Sequence, residues 1–213
     1  MARHDNSAIV TPYQESIAEY WNNEKSPINS LLGSLDNLYH HHYGLGDIGD
    51  GFFSGNKSED EIIKKLHRLE SAQAIFLLKH LGPLLKNDHI LDAGSGRGGT
   101  SFMAYDQFEC YVTGITISEK QVEFSQAKAT QRNIQEKVSF HLRNMLDNGV
   151  PDSFFQAVLN NKSTMYVNLD KLFSEHARVL KTGGRFVCIT GCYDDSNYGF
   201  PSRSVSKINS HYI

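Results

Sequence analysis

Between His89 and Thr190 short β-rich runs alternate with amphipathic runs, and this alternation constrains the fold more than any other feature of the sequence. A parallel strand pair needs a long crossover, and an intervening helix supplies one. The pattern therefore predicts an α/β protein with a doubly wound, mostly parallel sheet covered on both faces. The runs that we assign to strands read HILDAG, YVTGITIS, VSFHLRN, QAVLNN and RFVCIT.

The first 57 residues lack this alternation. QESIAEYWNN, from Gln14 to Asn23, has the spacing of a short amphipathic helix, whereas the glycine-, aromatic- and histidine-rich run from Ser34 to Asn56 has no clear period. Ser58 to Leu85 has helical spacing and forms one long helix or two consecutive ones. We expect residues 1–57 to form a lid that binds substrate and residues 58–213 to form the core.

Composition narrows the classes of function. The chain has 213 residues and a formal charge of −3, and its basic residues are scattered among acidic ones, which argues against a nucleic-acid partner. No apolar run is long enough to span a membrane, and the N-terminus lacks the apolar stretch of a signal peptide. Cys110, Cys188 and Cys192 form no C-x-x-C pair, so we expect a reduced, cytoplasmic protein.

The stretch HILDAGSGRGGT, from His89 to Thr100, places a glycine loop between a strand and a helix. Such a loop lets a ligand approach backbone N–H groups closely. The phosphate-loop pattern fails because no lysine followed by serine or threonine closes the loop. Gly94, Gly96 and Gly99 satisfy the dinucleotide pattern, which alone is weak. Two further features add to the evidence from the glycine pattern: Asp92, two residues before the first glycine, and the later turn KTGGRF.

From Asn87 to Thr190 the sequence resembles the class I S-adenosylmethionine-dependent methyltransferases, whose first motif is an acid, a small residue and G-x-G-x-G. The resemblance implies S-adenosylmethionine as the cofactor and a Rossmann-like core. A nicotinamide-binding domain is the alternative, which the lack of an acid at the end of the second strand disfavours. The residues that the resemblance places at the cofactor include Asp92, Gly94, Gly96, Asn144, Met145 and Asn160.

The second strand ends in GITIS, where most class I methyltransferases carry the acid that holds the ribose. The sequence resembles the cyclopropane synthase-like and prenyl C-methyltransferase branch, in which Ser or Thr and a helical Gln take over this task. Thr116, Ser118 and Gln121 stand at those places. Ser118 and Gln121 also have the spacing of a capping box at a helix start, and both roles are compatible.

Four further motifs resemble the geranyl diphosphate 2-C-methyltransferases and relatives that methylate other prenyl groups. The resemblance implies methyl transfer to an alkene carbon of a prenyl substrate in terpenoid metabolism, with geranyl diphosphate favoured, and a homo-oligomer. Farnesyl diphosphate, a prenylated natural product, or a catalytically impaired homologue that binds the cofactor remain alternatives. The motifs read NNEKSPINSLLGSLDNLYHHHYGLG, HLRNMLD, NNKSTMYV and TGCYDD.

Methylation of an alkene leaves a carbocation, which aromatic faces stabilise and a base must then deprotonate. The aromatic candidates are Tyr20, Trp21, Tyr43, Tyr166 and Phe200. By resemblance, Tyr43, Lys162 and Tyr166 occupy catalytic positions. The residues that we expect to bind the substrate or its diphosphate are Asn29, Tyr20, His42, Arg143 and Phe200.

The histidines His40, His41 and His42 invite a metal interpretation. Adjacent side chains in an extended segment point in different directions and cannot all bind one ion, so we expect no metal site there and one or two histidines in the pocket lining. A Mg²⁺ ion could instead arrive with the diphosphate, with Asp194 and Asp195 as weak candidates to contact it.

The sequence departs from the family pattern in two ways. Lys162 stands where the family has glutamate, and an ammonium beside a developing carbocation costs several kcal/mol in a low-dielectric pocket. We therefore hypothesise impaired or altered methyl transfer. In addition, only 23 residues follow Thr190, whereas a complete class I sheet has two more strands, so we expect the C-terminal strands to be missing.

Overall fold

A five-stranded parallel sheet forms the centre of the protein, with the strands in the order β3-β2-β1-β4-β5. The structure, a computed structural model, describes residues 8–24, 27–49, 52 and 55–191. The predicted α/β class and the parallel sheet are confirmed. The strands are β1 (His89–Ala93), β2 (Tyr111–Thr116), β3 (Val138–Leu142), β4 (Phe155–Asn161) and β5 (Leu180–Ile189).

Six α-helices and one 3₁₀ turn accompany the sheet in the described part of the chain. No helix among those residues is both long and apolar enough to cross a membrane. The helices are α1 (Pro12–Asn22), α2 (Pro27–Gly33), α3 (Glu59–Lys79), α4 (Gly99–Phe108), α5 (Glu119–Gln131) and α6 (Leu169–Val179), and the 3₁₀ turn is Thr164–Tyr166.

The segment from Ser58 onward forms one helix, which decides between the two alternatives left open by its periodicity. Ser58 caps α3 by accepting a hydrogen bond from the Glu61 N–H, and the Glu61 side chain accepts one in return from the Ser58 N–H. The helix ends at Lys79. Helix α2 has no counterpart among the predicted elements, although Pro27 at its first position is a common helix start.

Side chains of β1 alternate between two apolar clusters, as expected for a sheet that is covered on both faces. Ile90 belongs to a cluster with Leu77 and Leu78 of α3 and Phe102 of α4. Leu91 belongs to the other cluster, which also contains residues from the end of α6 and from the loop before β4.

The strand order reverses between β1 and β4, because β2 and β3 lie on one side of β1 and β4 and β5 on the other. In open α/β sheets, ligands bind in the crevice outside the carboxyl ends of the strands at this point. Asp92 and Asn161, near the ends of β1 and β4, line the cavity found there.

The ring of Phe140, on β3, packs against the glycine loop. A Cβ atom on Gly98 would lie 2.7 Å from Phe140 Cζ, and one on Gly114 of β2 would lie 2.5 Å from Phe140 Cδ1. Neither glycine could carry a side chain unless this ring moved. The sheet therefore supports the loop directly, with no intervening layer.

Candidate active site

Two adjoining cavities open at the carboxyl end of the sheet. The glycine-loop chamber contains Asp92, Gly94, Gly96, Thr116 and Gln121 in its lining. The second chamber, which we name the apolar chamber for its aliphatic wall, contains Ile28, Leu32, Leu66, Leu69 and Met165 in its lining. The residues that line both chambers are Trp21, His41, His42, Lys162 and Tyr166.

The two leading glycines of the loop have different surroundings. Gly94 has φ +84°, and a Cβ atom there would lie 2.3 Å from Ser163 Cβ. Gly96 has φ +56°, but a Cβ atom there would meet only His41 Nδ1, at 3.6 Å. Gly94 therefore packs against protein, whereas Gly96 leaves open space on the chamber side.

Asp92 ends β1 under the loop and is 1% exposed. Its carboxylate accepts a hydrogen bond from Ser101 Oγ at 2.6 Å. Burial raises the pKa of Asp92 to about 7, against the smaller lowering effect of the Ser101 hydrogen bond. Asp92 lines the glycine-loop chamber, so a ligand that donates a hydrogen bond or carries positive charge would favour its ionised form.

Thr116 and Gln121 line the glycine-loop chamber, and Thr116 Oγ1 donates a hydrogen bond to Gln121 Oε1 at 2.7 Å. Ser118 is fully buried and stands outside the lining. Its Oγ accepts from the Gln121 N–H and donates to Asn22 Oδ1 at 2.8 Å. Ser118 thus caps α5 and attaches the end of α1, while Gln121 serves the chamber in place of the reciprocal bond of a capping box.

Asn160 is fully buried and stands behind the chamber wall. Its Nδ2 donates to the Ala93 carbonyl at 2.6 Å and to Ser163 Oγ at 2.8 Å, and its Oδ1 lies 2.7 Å from His176 Nε2. Ser163 Oγ also donates to the Ala93 carbonyl, at 2.7 Å. Asn160 therefore joins β4 to the end of β1. Ser163 lines the chamber at the place where we expected Asn160.

The remaining cofactor candidates, Asn144 and Met145, line the glycine-loop chamber together with Arg143. Arg143 was expected at the substrate, but of the two chambers it lines only this one. Its Nη1 donates to the Asn148 carbonyl at 3.1 Å, which orients the guanidinium.

Glu24 connects the N-terminal segment to the glycine loop, and sequence reasoning missed it. Its Oε2 lies 2.8 Å from His41 Nε2 and 3.3 Å from Arg97 Nη2, and its Oε1 accepts from Asn29 Nδ2 at 2.7 Å. Burial raises the pKa of Glu24, but the hydrogen bond and charge of His41, with Asn29 and Arg97, outweigh it and hold that pKa below its usual value. The motif NNEKS contained the signal, since a lone acid beside an aromatic helix end needs a partner.

All three adjacent histidines line the glycine-loop chamber, where one or two were expected. Burial lowers the pKa of His40 and takes that of His42 to about 4, so both are neutral at pH 7. His41 Nδ1 is buried with no hydrogen-bond partner among the described residues. Within the described ranges, no group of three or more His, Cys, Asp or Glu residues could hold a metal ion.

The substrate candidates divide between the wall and the rim of the apolar chamber. Trp21 and Tyr166 are wall residues, whereas Tyr20 is 62% exposed and Tyr43 is 78% exposed. Asn29 lines the chamber too, with its amide already bonded to Glu24. The sequence candidates Phe200, Asp194 and Asp195 lie outside the described residues.

Lys162 follows β4 at the junction of the two chambers. It has φ +59°, in the left-handed region, and its N–H donates to the Ile189 carbonyl at 2.8 Å. Its Nζ lies 5.1 Å from the centroid of the Tyr43 ring, a cation–π distance. The ammonium is therefore beside the aromatic group that we expected to face the substrate.

The strand order, the glycine loop at the switch point and the two adjoining chambers define a class I S-adenosylmethionine-dependent methyltransferase. A family model described as a methyltransferase domain matches residues 91–188. The geranyl diphosphate 2-C-methyltransferase of Saccharopolyspora erythraea is 51% identical over 212 residues, which are 99% of this chain and 74% of that protein.

Solved structures of geranyl diphosphate methyltransferases are also similar to this chain. A geranyl diphosphate methyltransferase in complex with GPP and sinefungin has a TM-score of 0.89 at 49% identity, covering 96% of this chain and 74% of that one. The Streptomyces coelicolor A3(2) enzyme, in complex with Mg²⁺, geranyl-S-thiolodiphosphate and S-adenosyl-L-homocysteine, has a TM-score of 0.88 at 48% identity, covering 95% and 74%. The chain belongs to the geranyl diphosphate 2-C-methyltransferase family.

The glycine-loop chamber fits S-adenosylmethionine. Gly96 leaves room for close approach to the backbone, and the unpartnered His41 Nδ1 faces the same space. Thr116 and Gln121 supply polar groups beside β2, and a bound cationic ligand would stabilise the ionised form of the buried Asp92.

Substitution of the two glycines should separate stability from cofactor binding. We expect Gly94→Ala to destabilise the protein by about 1–3 kcal/mol, because its Cβ would lie 2.3 Å from the Ser163 Cβ. Gly96→Ala should instead weaken S-adenosylmethionine binding about tenfold with a smaller loss of stability. Urea unfolding and isothermal calorimetry test this, and equal effects of the two variants on both measurements would contradict it.

Asp92 should make stability fall as pH rises. The unfolded carboxyl releases its proton near its ordinary value of 3.8, whereas the folded one keeps it to about 7. The folded state therefore binds more protons between these values, and the stability present below about pH 4 is lost as pH rises through about 7. In Asp92→Asn this decline should be smaller, although Glu70, with a pKa of about 7, retains part of it. The measurement is the free energy of urea unfolding of the cofactor-free proteins as a function of pH. Parallel curves for wild type and Asp92→Asn would contradict the role given to Asp92.

Proposed function

We propose that the protein transfers the methyl group of S-adenosylmethionine to an alkene carbon of geranyl diphosphate. The observation that carries the proposal is the junction between the glycine-loop chamber and the second chamber lined by Leu32, Leu66 and Leu69, where Lys162, Tyr166 and Trp21 belong to both walls. The family relationship supports the same reaction, because the relatives are named for it.

In this proposal each chamber has one task. S-adenosylmethionine supplies a sulfonium methyl group, which is electrophilic and must point through the junction. The apolar chamber holds the prenyl chain, and Leu32, Leu66 and Leu69 exclude water from it. The rings of Trp21 and Tyr166 present negative faces to the cation that the alkene becomes.

We assign the remaining candidates by their chamber. Asn29, Tyr20, His42 and Tyr43 line the apolar chamber and would contact the prenyl diphosphate. Arg143 lines the other chamber, which supports a role at the cofactor carboxylate instead of the diphosphate. Any Mg²⁺ would be held largely by the diphosphate oxygens, since the described residues offer no cluster of ligands.

Residues 1–57 act in our proposal as a lid. Two buried polar contacts support this: Asn22 Oδ1 accepts from Ser118 Oγ at the start of α5, and Glu24 pairs with Arg97 of the glycine loop. These four residues stand outside the chamber lining, but Ser118 caps α5, which carries the lining residue Gln121, and Arg97 belongs to the glycine loop. Closure of the segment and occupation of the chamber are therefore coupled.

A catalytically impaired homologue is the second candidate, and Lys162 is the observation that favours it. Its ammonium lines both chambers, next to the position where positive charge develops. In a partly desolvated site, like charges a few ångströms apart cost several kcal/mol. Turnover, and not cofactor binding, distinguishes the two candidates.

We expect Lys162→Glu to raise methylation of geranyl diphosphate about tenfold or more, because attraction replaces repulsion at the cation. The assay is incubation with labelled S-adenosylmethionine and a panel of prenyl diphosphates, followed by mass analysis of the products. Lys162→Met is the matched control, since it removes the charge without adding a carboxylate. A rate that is the same in all three proteins would contradict the role given to Lys162.

We also propose that the chain is cytoplasmic and assembles into a homo-oligomer. The thiols of Cys110 and Cys188 are unpaired, which suits a reducing compartment. Ile75 and Phe76 of α3 are 51% and 48% exposed, an apolar pair suited to a subunit interface. Light scattering should report a multimer, and Phe76→Glu should shift it toward the monomer. A monomeric wild-type chain would contradict this part.

A further inference from the structure

The proposed reaction ends with the loss of a proton, and that step needs a base within the apolar chamber. After methyl transfer, the carbon that received the methyl group still carries its hydrogen, beside a cationic carbon. Only removal of this proton restores the double bond. The inference below therefore rests on the proposed function and names the group that performs its last step.

Among the described residues that line the apolar chamber, Glu70 is the only one with a carboxyl group. It belongs to α3, is 7% exposed, and follows the apolar lining residues Leu66 and Leu69. Its Oε2 is buried and has no hydrogen-bond partner among the described residues. His67, at ion-pair distance, is its charged neighbour. A buried carboxyl oxygen that no hydrogen bond satisfies is costly for stability, which is typical of a group retained for function.

The neighbours of Glu70 leave it able to accept a proton. His67 Nδ1 lies 3.6 Å from Glu70 Oε2, beyond hydrogen-bond distance, and His67 Nε2 lies 2.9 Å from Asp36 Oδ1. Burial raises the pKa of Glu70 to about 7, with the charge of His67 acting in the opposite direction. A base is most effective when its pKa lies near the working pH.

The other candidates in the same wall are poorer bases. His42 Nε2 is unpartnered, but burial takes the pKa of His42 to about 4, which makes it weakly basic. His41 is held by Glu24, and Lys162 is expected to be an ammonium that carries no lone pair. Tyr43 is 78% exposed at the rim and would have to act as a phenolate.

We propose that Glu70 is the catalytic base that removes the proton from the methylated carbon of the prenyl cation. The alkene π electrons form the new C–CH₃ bond as the S–CH₃ bond breaks, and the adjacent tertiary carbon becomes cationic. The electrons of the C–H bond then re-form the double bond, and the proton passes to the Glu70 carboxylate. The neutral carboxyl returns this proton to water after product release.

The test compares wild type, Lys162→Glu, Glu70→Gln, Glu70→Gln with Lys162→Glu, and Asp36→Asn, using S-adenosylmethionine and geranyl diphosphate. In Glu70→Gln the normal alkene product should form about a hundredfold more slowly, because general base catalysis is lost. Methylated by-products should take a larger share, since water or loss of another proton then quenches the cation. The second substitution should restore the normal product, because it places a carboxylate at the chamber junction. Asp36→Asn should stay close to wild type, since Asp36 touches His67 without lining the chamber.

Each contrary outcome has a distinct meaning. Normal product formed by Glu70→Gln at the wild-type rate overturns the proposal. So does loss of S-adenosylmethionine binding in Glu70→Gln, measured by calorimetry, or equal damage by Asp36→Asn, because both assign Glu70 a structural role. If wild type and Lys162→Glu both bind the cofactor but methylate no prenyl diphosphate, the proposed function itself fails, which the wild-type arm reveals before any Glu70 variant is considered.

Discussion

The Ala93 carbonyl, which accepts hydrogen bonds from both Asn160 Nδ2 and Ser163 Oγ, holds the site together. These bonds tie the end of β1 to the residues that follow β4, across the point where the strand order reverses. Ser163 then packs on Gly94, so the glycine loop and the Lys162 to Tyr166 segment have fixed relative positions. The junction between the two chambers is a consequence of this network, because buried amide and hydroxyl groups must satisfy one another.

A second set of contacts adds the N-terminal segment to this frame. Glu24 lies between His41 and Arg97, and Asn22 accepts hydrogen bonds from Ser118 Oγ and the Lys120 N–H. A buried carboxylate is stable only while its partners are in place. In the proposed lid, ordering of the glycine loop by a ligand and docking of the segment over it therefore reinforce each other, and such closure would exclude water from a sulfonium.

The sequence was sufficient for the sheet and the loop, because periodicity and glycine spacing are local signals. Thr116 and Gln121 could be placed at the chamber from their position after β2, and Ser118 could be given a capping role. Asn160 was predicted to contact the cofactor, whereas it lies behind the chamber wall. Its neighbours in sequence do not reveal that its amide bonds to Ala93 and His176. The motif NNEKS marked Glu24 as an acid in need of a partner but did not identify His41 and Arg97, which lie far away in the chain. Glu70 could not be found, because its role depends on burial.

Lys162 and Glu70 together constrain where the reaction can occur. They reach the apolar chamber from different elements, Lys162 from the end of β4 and Glu70 from α3, and the pKa of Glu70 is set by burial and His67. A carbocation in this chamber is repelled from one wall and attracted to the other. In the proposed reaction, however, the methyl donor reaches the substrate through the junction that Lys162 lines. The proposed reaction therefore requires the ammonium to lie away from the cation, and its cation–π contact with the exposed Tyr43 ring supplies such a position. On this view Tyr43 serves the reaction by removing a charge from its path as much as by facing the substrate.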